Sequence, residues 1–193
     1  MRVIGITGGI AMGKTTVSNY LATTYHFPIV DADLVAREAV AVGSPILSQI
    51  VDRYGSKLIR LDGTLDRSRL GAIIFADPIE RAWLEQQIHP YVRKVFETER
   101  DRATVPTVFV IPLLFEAQMT DLVTEIWVIT CSEQQQIQRL MQREKLSLEQ
   151  AKARIQSQMP IQEKCDRATV VLENSTSLEA LLKQVDQAVD RLS

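Results

Sequence analysis

Residues Gly5 to Leu21 read GITGGIAMGKTTVSNYL, and within them Gly8, four residues, then Gly13-Lys14-Thr15 fit the pattern G-x-x-x-x-G-K-[ST]. The surroundings fit too. The apolar run Val3–Thr7 precedes the loop, and Val17, Tyr20 and Leu21 share one helical face after it. A chain with this stretch must fold as strand, tight loop and helix, which places it among α/β architectures. Glycines let the backbone turn its N–H groups inward around a phosphate. The amides from Gly8 through Gly9, Ala11, Met12, Gly13, Lys14 and Thr15 to Thr16 are the expected cradle. The helix start adds about half a positive charge. Lys14 is expected on the β/γ-phosphates of a nucleoside triphosphate, and the Thr15 hydroxyl on Mg2+.

The rest of the chain agrees with that class. Short Val/Ile-rich runs at Val3–Thr7, Phe27–Val30, Val108–Ile111, Ile126–Thr130 and Thr169–Leu172 lack polar alternation, as in parallel strands buried on both faces. Helical stretches between them suit right-handed crossovers, giving a three-layer α/β fold. Leu34–Pro106 is too long for a simple crossover and reads as a mostly helical insertion. Within it Asp62-Gly63 predicts a tight turn, and Asp77, Pro78 and Glu80 predict a capped helix start with a capping box. In Ser132–Pro160, Ser132 with Gln135 and Ser147 with Gln150 predict two capped helices. Leu178, Leu181, Leu182, Val185 and Val189 share a face of a terminal amphipathic helix.

A length of 193 residues suits one compact domain with insertions, and a net charge of −2 gives no global attraction to nucleic acid or anionic membrane. Cys131 and Cys165 stand outside any CxxC or Cys/His spacing, so a reducing compartment and a buried Cys131 thiol are expected. The N-terminal apolar run is too short for a signal peptide, and no segment reaches the roughly 20 apolar residues that span a bilayer. The expected location is cytoplasmic. Composition leaves open a monomer or a small homo-oligomer.

A GTPase would carry N-K-x-D, and none is present; VFVIPLLFE lacks a switch D-x-x-G. A small-molecule kinase remains. Asp31 and Asp33, in VDAD, end the second expected strand on the carboxyl edge where open α/β sheets bind ligands. Asp33 reads equally as a general base for an acceptor hydroxyl or as the N-cap of the following helix; Asp31 would then orient the loop. Arg139 and Arg143 lie four apart on one helix face, either a solvated basic face or a lid over the transferring phosphoryl group, with Arg154 nearby.

In chain order, GITGGIAMGKTTV, VDADLVAR, QIHP, IPLLFE, QRLMQR and VVLENS resemble the dephospho-CoA kinase family from about Arg2 to Ser175. The resemblance implies ATP-dependent phosphorylation of the ribose 3′-hydroxyl of dephospho-CoA. It also implies a P-loop NTPase fold of the NMP-kinase type, with a five-stranded parallel sheet. The core would be 1–33, 107–131 and 161–193, the acceptor insertion 34–106, and the lid 132–160. On residues, it implies Asp33 as base, Lys14 and Arg139 on the phosphates with Arg143 beside them, and Asn174 against the ATP base. It further implies Asp31, Arg37, His89, Leu113 and Glu116 on the acceptor side. Read locally, Asn174 is a turn residue, His89 before Pro90 a helix C-cap, and Glu116 a surface charge.

The chain departs from the family where glycine and serine give way to Ala11 and Met12, and where a glycine gives way to Thr176. Alanine in the left-handed region is strained by roughly 1 kcal/mol, so a negative φ is expected at Ala11. Two other readings stay open: a nucleoside monophosphate kinase, and a nucleotide-sensing module without chemistry.

Overall fold

A computed structural model describes residues 1–191. Leu192 and Ser193, which the sequence reading counts in the core, lie outside the described residues. The elements run β1 (Val3–Gly8), α1 (Lys14–Thr24), β2 (Ile29–Asp31), α2 (Ala32–Glu38), α3 (Pro45–Tyr54), α4 (Arg67–Ala76) and α5 (Pro78–Arg102). They continue β3 (Thr107–Val110), β4 (Glu125–Thr130), α6 (Glu133–Glu144), α7 (Leu148–Gln156), α8 (Ile161–Asp166), β5 (Val170–Glu173) and α9 (Leu178–Asp190). The chain divides into two compact units, Met1–Asp31 with the stretch from Arg100 onward, and Ala32–Glu99.

The first unit is built on a parallel sheet ordered β2-β3-β1-β4-β5. β1 lies centrally because every one of its residues is buried, and only a strand flanked on both sides and covered on both faces can accept that. Val17 and Leu21 of α1 and Leu181, Val185 and Val189 of α9 pack into one cluster with Ile4, Ile6, Trp127 and Ile129. Leu178, expected on that stripe, is exposed. The Arg2 guanidinium pairs with buried Glu125, which also accepts from the Trp127 indole N–H at 2.8 Å. Tyr20 and Tyr25 both donate to Asp186 Oδ1 at 2.8 Å, and for Tyr25 burial and then that bond push the pKa up to about 12. Cys131 is buried, as expected, and burial raises its thiol pKa. Both helix caps expected at Ser132 and Ser147 form, the second as a full capping box with Gln150.

The second unit has its own core of Val40, Leu47, Ile50, Leu58, Leu65, Leu70 and Leu84. The Asp62-Gly63 turn forms, with Gly63 at φ 79° and a bridge between Ile59 and Leu65. Asp77 accepts from the Ile79 amide at 2.8 Å as a cap, with Pro78 leading the helix. Glu80 does not close the capping box. It binds the Arg53 guanidinium through two oxygens and the Tyr54 hydroxyl, because a bidentate ion pair outcompetes one backbone amide. The helix end expected at His89-Pro90 is also absent. α5 runs unbroken through Pro90, held by buried Leu84, Val92 and Phe96 on either side of it, so tertiary packing overrides the missing N–H.

Candidate active site

The loop between β1 and α1 is shaped by two glycines with positive φ. A Cβ on Gly8, at φ 137°, would lie 2.2 Å from the Ile129 carbonyl oxygen across the β1/β4 register. Gly13, at φ 107°, occupies the cap position of α1, and a Cβ there would meet the Asn174 amide at 2.3 Å. Neither position tolerates a side chain. α1 has no side-chain cap and no acid in its first turn, so its amides face the loop without a competing carboxylate. Lys14 Nζ donates to the Gly8 and Gly9 carbonyls at 2.9 and 2.8 Å, folding its ammonium over the loop.

Ala11 adopts φ 61°, against the negative φ expected of it. The loop must reverse within a few residues while holding Met12 N–H toward the Gly9 carbonyl, and this closure outweighs the steric cost at one alanine. The Met12 side chain is 1% exposed in the sheet core, so it anchors the loop from below and leaves backbone alone in the cradle.

Side chains from three other elements grip this loop. Gln136 of α6 donates to the Ile10 carbonyl at 3.0 Å, and the Ile10 amide donates to Gln158 Oε1, just beyond α7, at 2.9 Å. Asn174, after β5, donates to the Met12 carbonyl at 2.9 Å, while its own carbonyl accepts from Arg139 at 3.1 Å. The fold thus brings Lys14, Thr15, Arg139 and Asn174 together around one loop. Asn174 is more than a turn residue. Arg143 is paired with adjacent Glu144 at 2.7 Å, and Arg154 pairs with the same carboxylate. Thr15 and Thr16 are exposed at the start of α1.

The segment after β3 holds Leu113 exposed and Glu116 in an ion pair, so Glu116 is not a loose surface charge. Its Oε1 lies 2.8 Å from Nζ of Lys164, whose side chain is 0% exposed, and also accepts from the Met159 amide. Partial burial would raise the Glu116 pKa, but bonds from Lys164 and the backbone outweigh it and hold the carboxyl below its ordinary value. Lys164 Nζ and Thr7 Oγ1 both donate to the Pro112 carbonyl, at 3.2 and 3.0 Å.

In the second unit α2 begins at Ala32, directly after β2, so Asp33 falls inside the first turn rather than at the N-cap position expected as one alternative. Asp31 ends β2 opposite Val110. Asp33 and Arg37 line a cleft of about 300 Å³ contained wholly within this unit. Ile88 lines it too, but His89, exposed on the continuous α5, does not.

Sequence reasoning missed Gln136, Gln158, Lys164 and the cleft residue Arg67. Polar residues in helices read as solvated, and nothing local marks which of them a distant loop will cover.

The dephospho-CoA kinase family model matches residues 2–180. The chain belongs to the dephospho-CoA kinase family. Dephospho-CoA kinases of Trichormus variabilis and Thermosynechococcus vestitus are 60% and 55% identical, over 98% of this chain and 97% and 94% of theirs. Among solved structures, TT1252 from Thermus thermophilus superposes with a TM-score of 0.82 at 35% identity, covering 100% of this chain and 98% of that one. Dephospho-CoA kinase from Campylobacter jejuni gives 0.76 at 30%, with the same coverage. A shikimate kinase from Acinetobacter baumannii, at 15% identity and a TM-score of 0.60, shares the fold alone with this family member. Among the described residues no helix is long and apolar enough to cross a membrane.

Proposed function

We propose that the chain transfers the γ-phosphoryl group of ATP to the ribose 3′-hydroxyl of dephospho-CoA, giving coenzyme A and ADP. The observation that carries this reading is the Gly8–Thr16 loop, a cradle only glycine permits, in a chain aligned almost end to end with dephospho-CoA kinases. The residues present fit a bound nucleotide: inward amides, a helix start free of acids, and an ammonium already over the loop. ATP is the phosphoryl donor; the Thr15 hydroxyl would hold Mg2+ beside the phosphates, and the ion would supply neutralising charge there. Lys14 leaves the Gly8 and Gly9 carbonyls for phosphate oxygens, and Arg139 adds a second cation there. Asp33 accepts the proton of the attacking hydroxyl as the new O–P bond forms and the bond to the ADP oxygen breaks. Asn174 borders the adenine while bracing Met12. The stretch 34–106 serves as acceptor-binding insertion and 132–160 as lid.

The test is turnover with Mg·ATP and a panel of acceptors, following ADP and product mass. Product from dephospho-CoA, and none from nucleoside monophosphates, is expected. Asp33→Asn should cut kcat by about 10²-fold or more with ATP affinity nearly intact. Near wild-type turnover would exclude Asp33 as the base. Lys14→Ala should weaken both nucleotide binding and transfer.

A further inference from the structure

Ala11 adopts a left-handed conformation that glycine would take at no steric cost, and its two neighbours in the loop are both tied down. Ile10, just before it, is bound at both of its polar groups. Gln136 Nε2 donates to the Ile10 carbonyl at 3.0 Å, and the Ile10 amide donates to Gln158 Oε1 at 2.9 Å. Met12, just after it, has its carbonyl held by Asn174 Nδ2 at 2.9 Å. Both glutamines are themselves fixed. Gln136 is 4% exposed, and glycine at position 9 leaves it room, since a Cβ there would lie 2.7 Å from its Nε2. Gln158 follows α7, and the next amide, that of Met159, donates to Glu116 Oε1 at 3.1 Å. Glu116 in turn is paired with the enclosed Lys164.

The sign of φ alternates along the loop: Ile10 lies outside the positive range and Ala11 at 61°, then Met12 outside it and Gly13 at 107°. That alternation turns consecutive N–H groups to one side and makes a concavity for an anion. With Ala11 at negative φ, the first half of the concavity is lost. We propose that Gln136 and Gln158 are positioning residues for ATP: by fixing Ile10 they hold Ala11 in the left-handed region and so keep the cradle formed before nucleotide arrives. This rests on the reading of the loop as the ATP cradle. A strained residue persists only where its surroundings over-determine it. One net hydrogen bond and the steric cost at one alanine are of similar size, so losing one glutamine is enough to let Ala11 relax. ATP then binds only the molecules that keep the cradle, and its apparent affinity falls by that fraction. With glycine at position 11 the left-handed conformation carries no penalty, and the cradle no longer depends on the glutamines.

The experiment titrates Mg·ATP calorimetrically into full-length wild type, Gln158→Met and Gln136→Met, and into the same three with Ala11→Gly added, each checked by thermal melting. Methionine keeps the length of glutamine and removes its amide. Each glutamine variant should raise the Kd for ATP about fivefold or more over wild type. With Ala11→Gly as the parent, the same substitutions should raise it by less than about twofold. A glutamine that only supports the neighbouring helices would cost the same in both backgrounds, so equal penalties overturn the proposal. A Kd within about twofold of wild type in both single variants overturns it as well. If the buried position does not tolerate Gln136→Met and that variant fails to fold, Gln158→Met, at a half-buried position, decides alone. The titration needs no acceptor, so a wild type that binds ATP without phosphorylating dephospho-CoA overturns the functional reading and leaves this comparison intact. A wild type that binds no ATP overturns both.

Discussion

Ala11 at φ 61° sits two residues before Gly13, in a loop whose other strained positions are glycine. The left-handed conformation costs an alanine about 1 kcal/mol or more, partly offset because glycine loses more freedom on folding. Ala11→Gly should therefore raise stability by up to about 1 kcal/mol in urea unfolding, whereas a loss of that size would mean Ala11 is unstrained. Gly8→Ala is the contrasting case. The added Cβ lands on the Ile129 carbonyl, a backbone atom that cannot step aside, so the β1–β4 pairing must distort. The P-loop residues were legible from spacing because phosphate cradling dictates residue type position by position. The Ala11 conformation was not, since a local steric preference of about 1 kcal/mol loses to loop closure. Asp33 shows the same limit: a start of α2 two residues earlier, at Ala32 rather than Leu34, moves it from cap to first turn.

Among elements, α8 carries the least expected side chain. Lys164 is fully enclosed, and among the described residues it is ion-paired with Glu116, which keeps about a quarter of its side chain in solvent. Removing Glu116 strands a buried cation, and Glu116→Ala should cost about 3 kcal/mol. Lys164→Met should cost less, because Thr7 still donates to the Pro112 carbonyl and Glu116 can turn to water. Chemical denaturation of both variants decides it, and a Lys164→Met loss larger than that of Glu116→Ala would refute the pairing argument. The helices of 133–156 were readable from their caps, which are local. The passage of α5 through Pro90 was not, because burial at Leu84, Val92 and Phe96 is set by residues far away in the chain.

For the whole molecule, each of the two units has a core of its own. In the second, hydrogen bonds from Arg53 and then Tyr54 hold the Glu80 pKa at about 2, below its ordinary 4.5. A folded-state pKa below the unfolded one adds stability above about pH 4.5 and loses it as pH falls toward about 2. Melting of Glu80→Gln should thus occur at lower temperature than wild type at neutral pH, and the two curves should converge across that window. Parallel curves would show that Glu80 is not linked to folding. Sequence alone determined the α/β class, the phosphate-binding loop, the order of elements and the family. Those follow from hydrophobic period, glycine placement and short motifs, all of which act over a few residues. Tertiary structure decided the sheet order, the grip of Gln136, Gln158 and Asn174 on the loop, and the burial of Lys164. Each of these depends on which distant groups share a desolvated space, and long-range burial sets a polar side chain's worth more than its neighbours in the chain do.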